Sequence, residues 1–290
     1  MQLQQASRKK AKLKLGLQGP SGSGKTKSAL LIAYGLCGNW SKIAVIDTEN
    51  NSADLYADLG AYKTLSLEPP YSPERYCEGI SICLEAGMEV IIIDSTSHEW
   101  DYLLDYHSSL PGNSFTNWAK VTPRHEQFVN KVLQSNAHFI CTIRSKTDYV
   151  LSEKNGKQVP EKVGMKGVQR ENLEYEFTVV LELDMLHRVK SSKDRTSLFE
   201  CKPEFVPTVQ TGQSLLEWCN LGIDALAMVT YEEVQQKIRA CGSTKELNAV
   251  YFAHPQYQQV LNHEFATRNE QLKSIIVNQP NFSPNGIANS

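Results

Sequence analysis

The chain has 290 residues, 41% hydrophobic and 21% charged, enough to bury one sizeable core plus an appendage. A net charge of −2 argues against a globally basic nucleic-acid coat, and no apolar run approaches the ~18 residues that span a bilayer. Seven cysteines (Cys37, Cys77, Cys83, Cys141, Cys201, Cys219 and Cys241) form no CxxC pair, and no N-terminal apolar segment reads as a signal peptide. The expectation is a cytoplasmic protein with reduced thiols and no membrane partner.

Charge is unevenly spread. Residues 1–14 carry Arg8, Lys9, Lys10, Lys12 and Lys14 with no acid. Residues 144–170 carry Arg144, Lys146, Lys154, Lys157, Lys162, Lys166 and Arg170 against Asp148, Glu153 and Glu161. Two basic segments on an otherwise acidic body point to localised contact with a polyanion, the alternative being solvated charge runs.

In chain order, "LKLGLQ" (13–18) reads as a strand entering a glycine loop, and "KSALLIAYGLC" after it as a helix with Ala29, Leu30, Ile32, Ala33, Leu36 and Cys37 in helical period. "KIAVIDTE" and "EVIIID" read as buried strands, with a helix over 73–87 between them. After a polar insert, 123–136 reads as a helix and "HFICTIR" (138–144) as a strand. Residues 145–170 are polar, basic and glycine-containing, and read as a long loop. "YEFTVVLELDML" (175–186) and "SLFECKP" (197–203) resume strand character. From about 213 the pattern is helical, with a capping sequence at Ser243-Thr244-Lys245-Glu246 and a frayed tail at the end. Alternating strands and helices predict an α/β fold with a mainly parallel sheet flanked by helices. The expected domains are a core over 1–212, with a basic arm at 1–14 and a basic loop at 145–170, and a helical region over 213–290.

Gly19-Pro20-Ser21-Gly22-Ser23-Gly24-Lys25-Thr26 matches the phosphate-binding P-loop pattern, with Lys27 following in the first helical turn. Its backbone N–H groups and the helix N-terminus suit the phosphates of ATP, Lys25 the outer phosphates, and the Thr26 hydroxyl Mg²⁺. A second metal anchor is required, and Asp94, closing "VIIID", is the candidate; the alternative is a capping Asp. Hydrolysis further needs a group that activates water. Asp94 is followed by Ser95, so that common position holds no glutamate, and Glu49 at the end of "IAVIDTE" is the candidate base against a solvated strand-end acid. Asp47 carries no such argument and is left to shape the turn.

Together, "GPSGSGKT", "AVIDTEN", "VIIIDS" and "LQSNAHFICTIRSK" resemble the ATP-binding core of RecA-like recombinases over residues 13–205. With "NWAKVTPRHEQFVNKVL", "RENLEYEFTVVLELD" and "KDRT", the chain is more similar still to phage-encoded RecA-like single-strand annealing ATPases of the Sak group. The resemblance implies that Lys25 and Thr26 bind nucleotide and Mg²⁺, that Asp94 holds the metal shell and that Glu49 activates water. Thr142 stands where recombinases carry a glutamine sensor of the γ-phosphate, which puts strong coupling of ATP to DNA in question. The basic segment from Arg144 to Arg170 occupies the place of the family's second DNA loop, implying single-stranded DNA as partner. Lys193 and Arg195 resemble an element that hexameric relatives insert into a neighbour's site, implying a ring or filament, the alternative being a basic hairpin turn. His98, Trp100, Trp118, Arg124 and His125 lie where recombinases place their first DNA loop, with Trp118 read as packed. The seven histidines show no metal-binding spacing.

The expected function is therefore a DNA-stimulated ATPase of phage-type recombination promoting annealing or strand exchange, with a single-strand-binding protein as a further candidate partner. Two alternatives stand beside it: a nucleotide-switched DNA-binding module with negligible turnover, and a small-molecule P-loop kinase.

Overall fold

The structure, a computed structural model, describes residues 7–154, 157–170, 173–222, 231–254 and 257–277; the side chains of 147–166, 231–232 and 275–277 lie outside that description. Two compact units are present, residues 1–222 and 223–290.

The first unit is built on one sheet. Its strands are β1 (Lys14–Gly19), β2 (Ile43–Asp47), β3 (Lys63–Ser66), β4 (Val90–Asp94), β5 (His138–Lys154), β6 (Lys157–Gly167), β7 (Val179–Leu183) and β8 (Val189–Asp194). They lie in the order β3-β2-β4-β5-β1-β7-β8, with β6 paired to β5 beyond the sheet body. Neighbours from β3 to β7 run parallel, and β8 closes the edge antiparallel to β7. The expected α/β fold with a mainly parallel sheet and C-terminal helices is the one observed.

Side-chain alternation along the strands fills two cores, one on each face, as a sheet covered by helices on both sides requires. Leu15, Leu17, Val45, Ile92, Ile140 and Leu181 face α1 (Lys25–Cys37) and α6 (Val209–Asn220). Ile46, Ile91, Ile93, Phe139, Cys141 and Val180 face α2 (Pro73–Glu85) and α4 (Ser114–Gln134), which contribute Tyr76, Ile80, Phe128 and Val132. Parallel strands place all their C-terminal ends on one edge, and that edge gathers Gly19, Asp47, Asp94 and Leu183.

Helix α6 crosses α1 at two glycines. A Cβ on Gly35 would lie 2.1 Å from the Val209 carbonyl oxygen, and one on Gly212 would lie 2.1 Å from that of Ile32. This crossing moves the unit boundary: α6 belongs to the core, so the core ends at Gly222 and not at residue 212. The second unit packs α7 (Tyr231–Ala240), α8 (Thr244–Ala253) and α9 (Asn262–Val277) around Val234, Ile238, Leu247, Leu261, Phe265 and Leu272. Ser243 caps α8 by accepting from the Glu246 amide at 3.2 Å, as its sequence indicates. The expected frayed tail lies outside the described residues.

Four other expectations are corrected. The polar insert after Asp94 contains α3 (Ser97–Ser109), whose buried face is only Ser97, Glu99 and Leu103, so its apolar period is too weak to read. Residues 145–170 are mostly not a loop: β5 runs on past the sheet and pairs antiparallel with β6. Residues 197–203 are not a strand, because the Asp194 carboxylate takes the amides of Thr196 and Phe199 and turns the chain there, after β8. Nor are residues 7–14 a free basic arm. Arg8 donates to the Trp218 carbonyl at 2.8 Å and stacks on its ring, while Lys14 is buried and donates to the carbonyls of Ser135 and Ala137.

Candidate nucleotide site

The P-loop leaves β1 at Gly19 and enters α1 at Lys25, with Gly22 and Gly24 both at positive φ (81° and 87°), the conformation for which glycine is suited. Ser23 is buried and its hydroxyl donates to the Pro20 carbonyl at 2.8 Å, closing the loop internally; Ser21 and Lys27 are exposed. The Lys25 ammonium donates to the carbonyls of Gly19 and Pro20, both at 2.9 Å, and so lies folded across the loop it would share with phosphate. Burial lowers its pKa, while Asp94 and Glu49 pull the other way.

Asp94 ends β4 opposite Asp47 on β2, and is 2% exposed. The Thr26 hydroxyl donates to its Oδ2 at 2.6 Å and the Thr142 hydroxyl to its Oδ1 at 2.5 Å. Burial raises the Asp94 pKa, and the two hydroxyls oppose that. Thr142 is thus committed to bracing Asp94, and its carbonyl accepts from the Thr96 amide and hydroxyl at 3.0 Å each. The Asp94–Ser95 peptide is cis, and the buried Ser95 hydroxyl has no hydrogen-bond partner among the described residues.

Asp47 is structural, accepting the Glu49 amide at 2.6 Å and the Ala53 amide at 2.8 Å. That turn lifts Glu49 off the end of β2. Its carboxylate meets the Arg144 guanidinium in a two-pronged ion pair: Nε donates to Oε1 at 2.7 Å, and Nη2 donates to Oε2. For Glu49, burial is the largest single influence and favours the neutral form, but the Arg144 hydrogen bond and charge together outweigh it and lower the pKa. Glu49 is therefore an ionised acceptor at neutral pH. His98 lies beside it, its Nδ1 2.8 Å from the Thr48 hydroxyl and its ring stacked on Tyr71; burial and the Arg144 charge lower its pKa.

The structure thus brings together Gly19–Thr26, Asp94, Glu49 and Thr142, and adds Arg144, which the sequence assigns to the DNA-binding segment. Across β1 and β5, Gly19 and Arg144 are register partners, so the guanidinium stands at the mouth of the P-loop. Lys193 and Arg195 are not in this group. They lie at the other end of β8, level with Val180 and Thr178, and bond to carbonyls of α5 (Leu173–Glu176): Lys193 to those of Glu174 and Tyr175, Arg195 to that of Tyr175. Lys146 is exposed beyond the site and Arg170 follows β6. Lys154, Lys157, Lys162 and Lys166 belong to the hairpin backbone, but their side chains lie outside the described residues. Trp100 and Trp118 stack at 6.0 Å and His107 lies on Trp118 at 4.2 Å, so Trp118 is packed as expected. His125 is buried against Glu99, and Arg124 pairs with Glu74.

The family model for the AAA domain matches residues 11–206, which is most of the chain and all of this site. The chain belongs to the AAA domain family. No curated protein matches it. As an AAA domain it is a P-loop ATPase in general type, with nucleotide binding and hydrolysis as the activity such a site serves. The residues fit Mg²⁺: one carboxylate and one hydroxyl, hard oxygen donors already in contact, are what that ion takes from a protein when phosphates and water complete its shell. Bound there, Mg²⁺ would neutralise phosphate charge, with Thr26 and Asp94 holding it. Among the described residues no cluster of three or more His, Cys, Asp or Glu offers another metal site. No described helix is long and apolar enough to cross a membrane.

Sequence reasoning missed Arg144 as the partner of Glu49, and missed Thr48, Ser97 and Gln169 as fixtures of the site. The Arg144 amide is held by the Ser97 hydroxyl at 2.9 Å, and the Gln169 side chain donates to the Thr96 carbonyl at 3.0 Å. Residue spacing carries no sign of these pairs. An Arg at the end of an apolar strand beside the P-loop strand is the only hint available.

Proposed function

We propose that the protein hydrolyses ATP in response to single-stranded DNA, in a phage-type recombination reaction of annealing or strand exchange. One observation carries the reading: Arg144, which holds Glu49, is also the residue at which the basic β5–β6 hairpin leaves the sheet. A polyanion bound along that hairpin competes for the guanidinium and shifts its root, and Glu49 is then free to orient and deprotonate the attacking water. Lys25 and the loop amides hold the phosphates; Thr26 and Asp94 hold the metal. The basic balance of residues 144–170 and the resemblance of this segment to a DNA-binding loop support single-stranded DNA as the ligand. A homo-oligomer, ring or filament, goes with the same reading: Lys193 and Arg195 would exchange the Tyr175 carbonyl for a neighbour's γ-phosphate.

A second reading has its own observation. With Glu49 closed on Arg144, nucleotide binding without turnover makes the chain a switch. ATPase rates with and without single-stranded oligonucleotide separate the two. On the first reading DNA stimulates hydrolysis, Glu49→Gln loses about 10²-fold or more while still binding ATP, and Arg144→Ala raises the DNA-free rate and abolishes stimulation. No stimulation, with Glu49→Gln turning over like the parent, leaves only the switch. Oligonucleotide affinity should fall by ~0.7 log units per log unit of salt for each phosphate contacted, and a flat response removes the electrostatic groove.

A further inference from the structure

The turn between β7 and β8, Asp184–Arg188, crosses the phosphate loop, and nothing in the reading above uses it. Its backbone is locked. The Asp184 carboxylate accepts the amides of Leu186 and Arg188 and the Arg188 guanidinium, and the Asp184 carbonyl accepts the His187 amide. His187 is held at φ 63°, a conformation that a residue with a side chain keeps only when its surroundings enforce it. Its Nδ1 lies 3.0 Å from the Ser23 carbonyl, so that nitrogen carries the proton and ties the turn to the P-loop.

This latch leaves two apolar side chains standing in water beside the loop, Met185 at 60% exposure and Leu186 at 67%. Met185 stands over the loop, its Cε 3.6 Å from where a Cβ on Gly22 would lie. An exposed apolar pair on a rigid turn has a cost in water that a ligand can recover. Sheet order says which ligand. β4 and β2, with Asp94 and Glu49, lie on one side of β1, and β7 and β8 lie on the other. A nucleotide whose terminal phosphate faces Asp94 and Glu49 carries its nucleoside away from them, toward the β7–β8 turn.

We propose that Met185 and Leu186 form the shelf on which the nucleoside of the bound nucleotide packs, with His187 fixing that shelf to the phosphate loop. The proposal rests on the reading that the P-loop holds a nucleoside triphosphate. It also sets the specificity. Asp184 and Arg188 are spent on each other, on backbone amides and, for Arg188, on Glu204, so the shelf offers apolar contact without a charged group to read base edges. Purine nucleotides should therefore bind within about 3-fold of one another, because an apolar surface discriminates poorly between groups of similar shape.

Binding of MgATP, MgGTP and magnesium tripolyphosphate to the full chain tests this, in the parent, Met185→Ser/Leu186→Ser and Lys25→Ala. The shelf predicts that the serine double variant binds MgATP roughly 10-fold more weakly, the loss expected for about one buried methylene or two, with tripolyphosphate affinity unchanged. That unchanged affinity also shows the loop is intact. If ATP and tripolyphosphate weaken together, or neither weakens, the shelf is overturned. Lys25→Ala separates the two levels: if it binds ATP like the parent, the P-loop reading fails and the shelf with it. If it loses ATP while the serine variant does not, only the shelf fails.

Discussion

Thr142 gives the sharpest check on how the site is built, because bracing Asp94 and sensing phosphate make different demands on its hydroxyl. Thr142→Val keeps the shape and removes the donor to Asp94 Oδ1, a hydrogen bond of 2.5 Å inside the core. Bonds to a charged partner are worth about 1.5–3 kcal/mol, and a buried carboxylate left with fewer donors cannot recover the loss from water, so a destabilisation of about 2 kcal/mol is expected. The bonds that the Thr96 amide and hydroxyl donate to the Thr142 carbonyl are untouched, which confines the effect to the carboxylate. Thr142→Ser keeps the hydroxyl and loses one buried methyl, about 1 kcal/mol. Chemical denaturation followed by tryptophan fluorescence reads this cleanly, since Trp40, Trp100, Trp118 and Trp218 all lie in the first unit. A Val variant within 0.5 kcal/mol of the parent, or a Ser variant less stable than Val, would refute the bracing role.

Two further predictions concern the frame. Gly35→Ala places a methyl 2.1 Å from the Val209 carbonyl oxygen and should cost about 3 kcal/mol or prevent folding, whereas Gly38→Ala, at φ 65° with open space around it, should cost about 1 kcal/mol; equal effects in thermal denaturation would contradict the helix crossing. His138 is buried and its Nδ1 accepts the Leu13 amide at 3.0 Å; burial, with Lys12 and Lys14 nearby, lowers its pKa to about 3. A depressed histidine pKa means the unfolded chain takes the proton first, so stability is full above about pH 6.5 and falls by up to about 1.4 kcal/mol per pH unit below it, down to about pH 3. His138→Asn should flatten that slope by one proton in denaturation series at pH 4–7, and an unchanged slope would show that another group carries it.

β2 and β4 were legible because each is a run rich in β-branched residues ending on a chemical group, as "VIIID" ends on Asp94 and "KIAVIDTE" leads to Glu49, and β1 was legible from the glycine loop that follows it. What hid the hairpin was composition. Residues 145–170 are charged and hold three glycines, yet Asn155-Gly156 between two stretches containing Thr, Tyr and Val is a two-residue hairpin signal that outweighs their polarity. The edge strand β3 escaped notice because none of its four residues is fully buried, leaving no apolar pattern to read. Residues 197–203 misled in the opposite sense: Leu198 and Phe199 pack on the core from an irregular turn, and apolar content alone does not separate that from a strand. Long-range polar pairs were out of reach for a different reason. Arg144 and Glu49 are 95 residues apart, and only the order of strands in the sheet makes them neighbours.

If single-stranded DNA binds the hairpin as proposed, the same strand order gives a site without a glutamine at residue 142 a route for communicating with it. Both ends of the hairpin are fastened to the catalytic edge, and to different parts of it. On the β5 side, Arg144 holds Glu49 by its side chain and Ser97 by its amide. On the β6 side, Gln169 holds the Thr96 carbonyl, two residues beyond Asp94, and the Val168 amide bonds the Arg144 carbonyl at 2.7 Å, tying the two roots together. Thr96 in turn is bonded to Thr142, which braces Asp94. A shift of the hairpin root would therefore act on Glu49 directly, through Arg144, and on Asp94 through three hydrogen bonds, Gln169 to Thr96, Thr96 to Thr142 and Thr142 to Asp94. A side chain at 142 long enough to reach phosphate would take the hydroxyl away from Asp94. On that proposal the coupling duty falls to Arg144 and Gln169, with Thr142 left to hold the Asp94 carboxylate still.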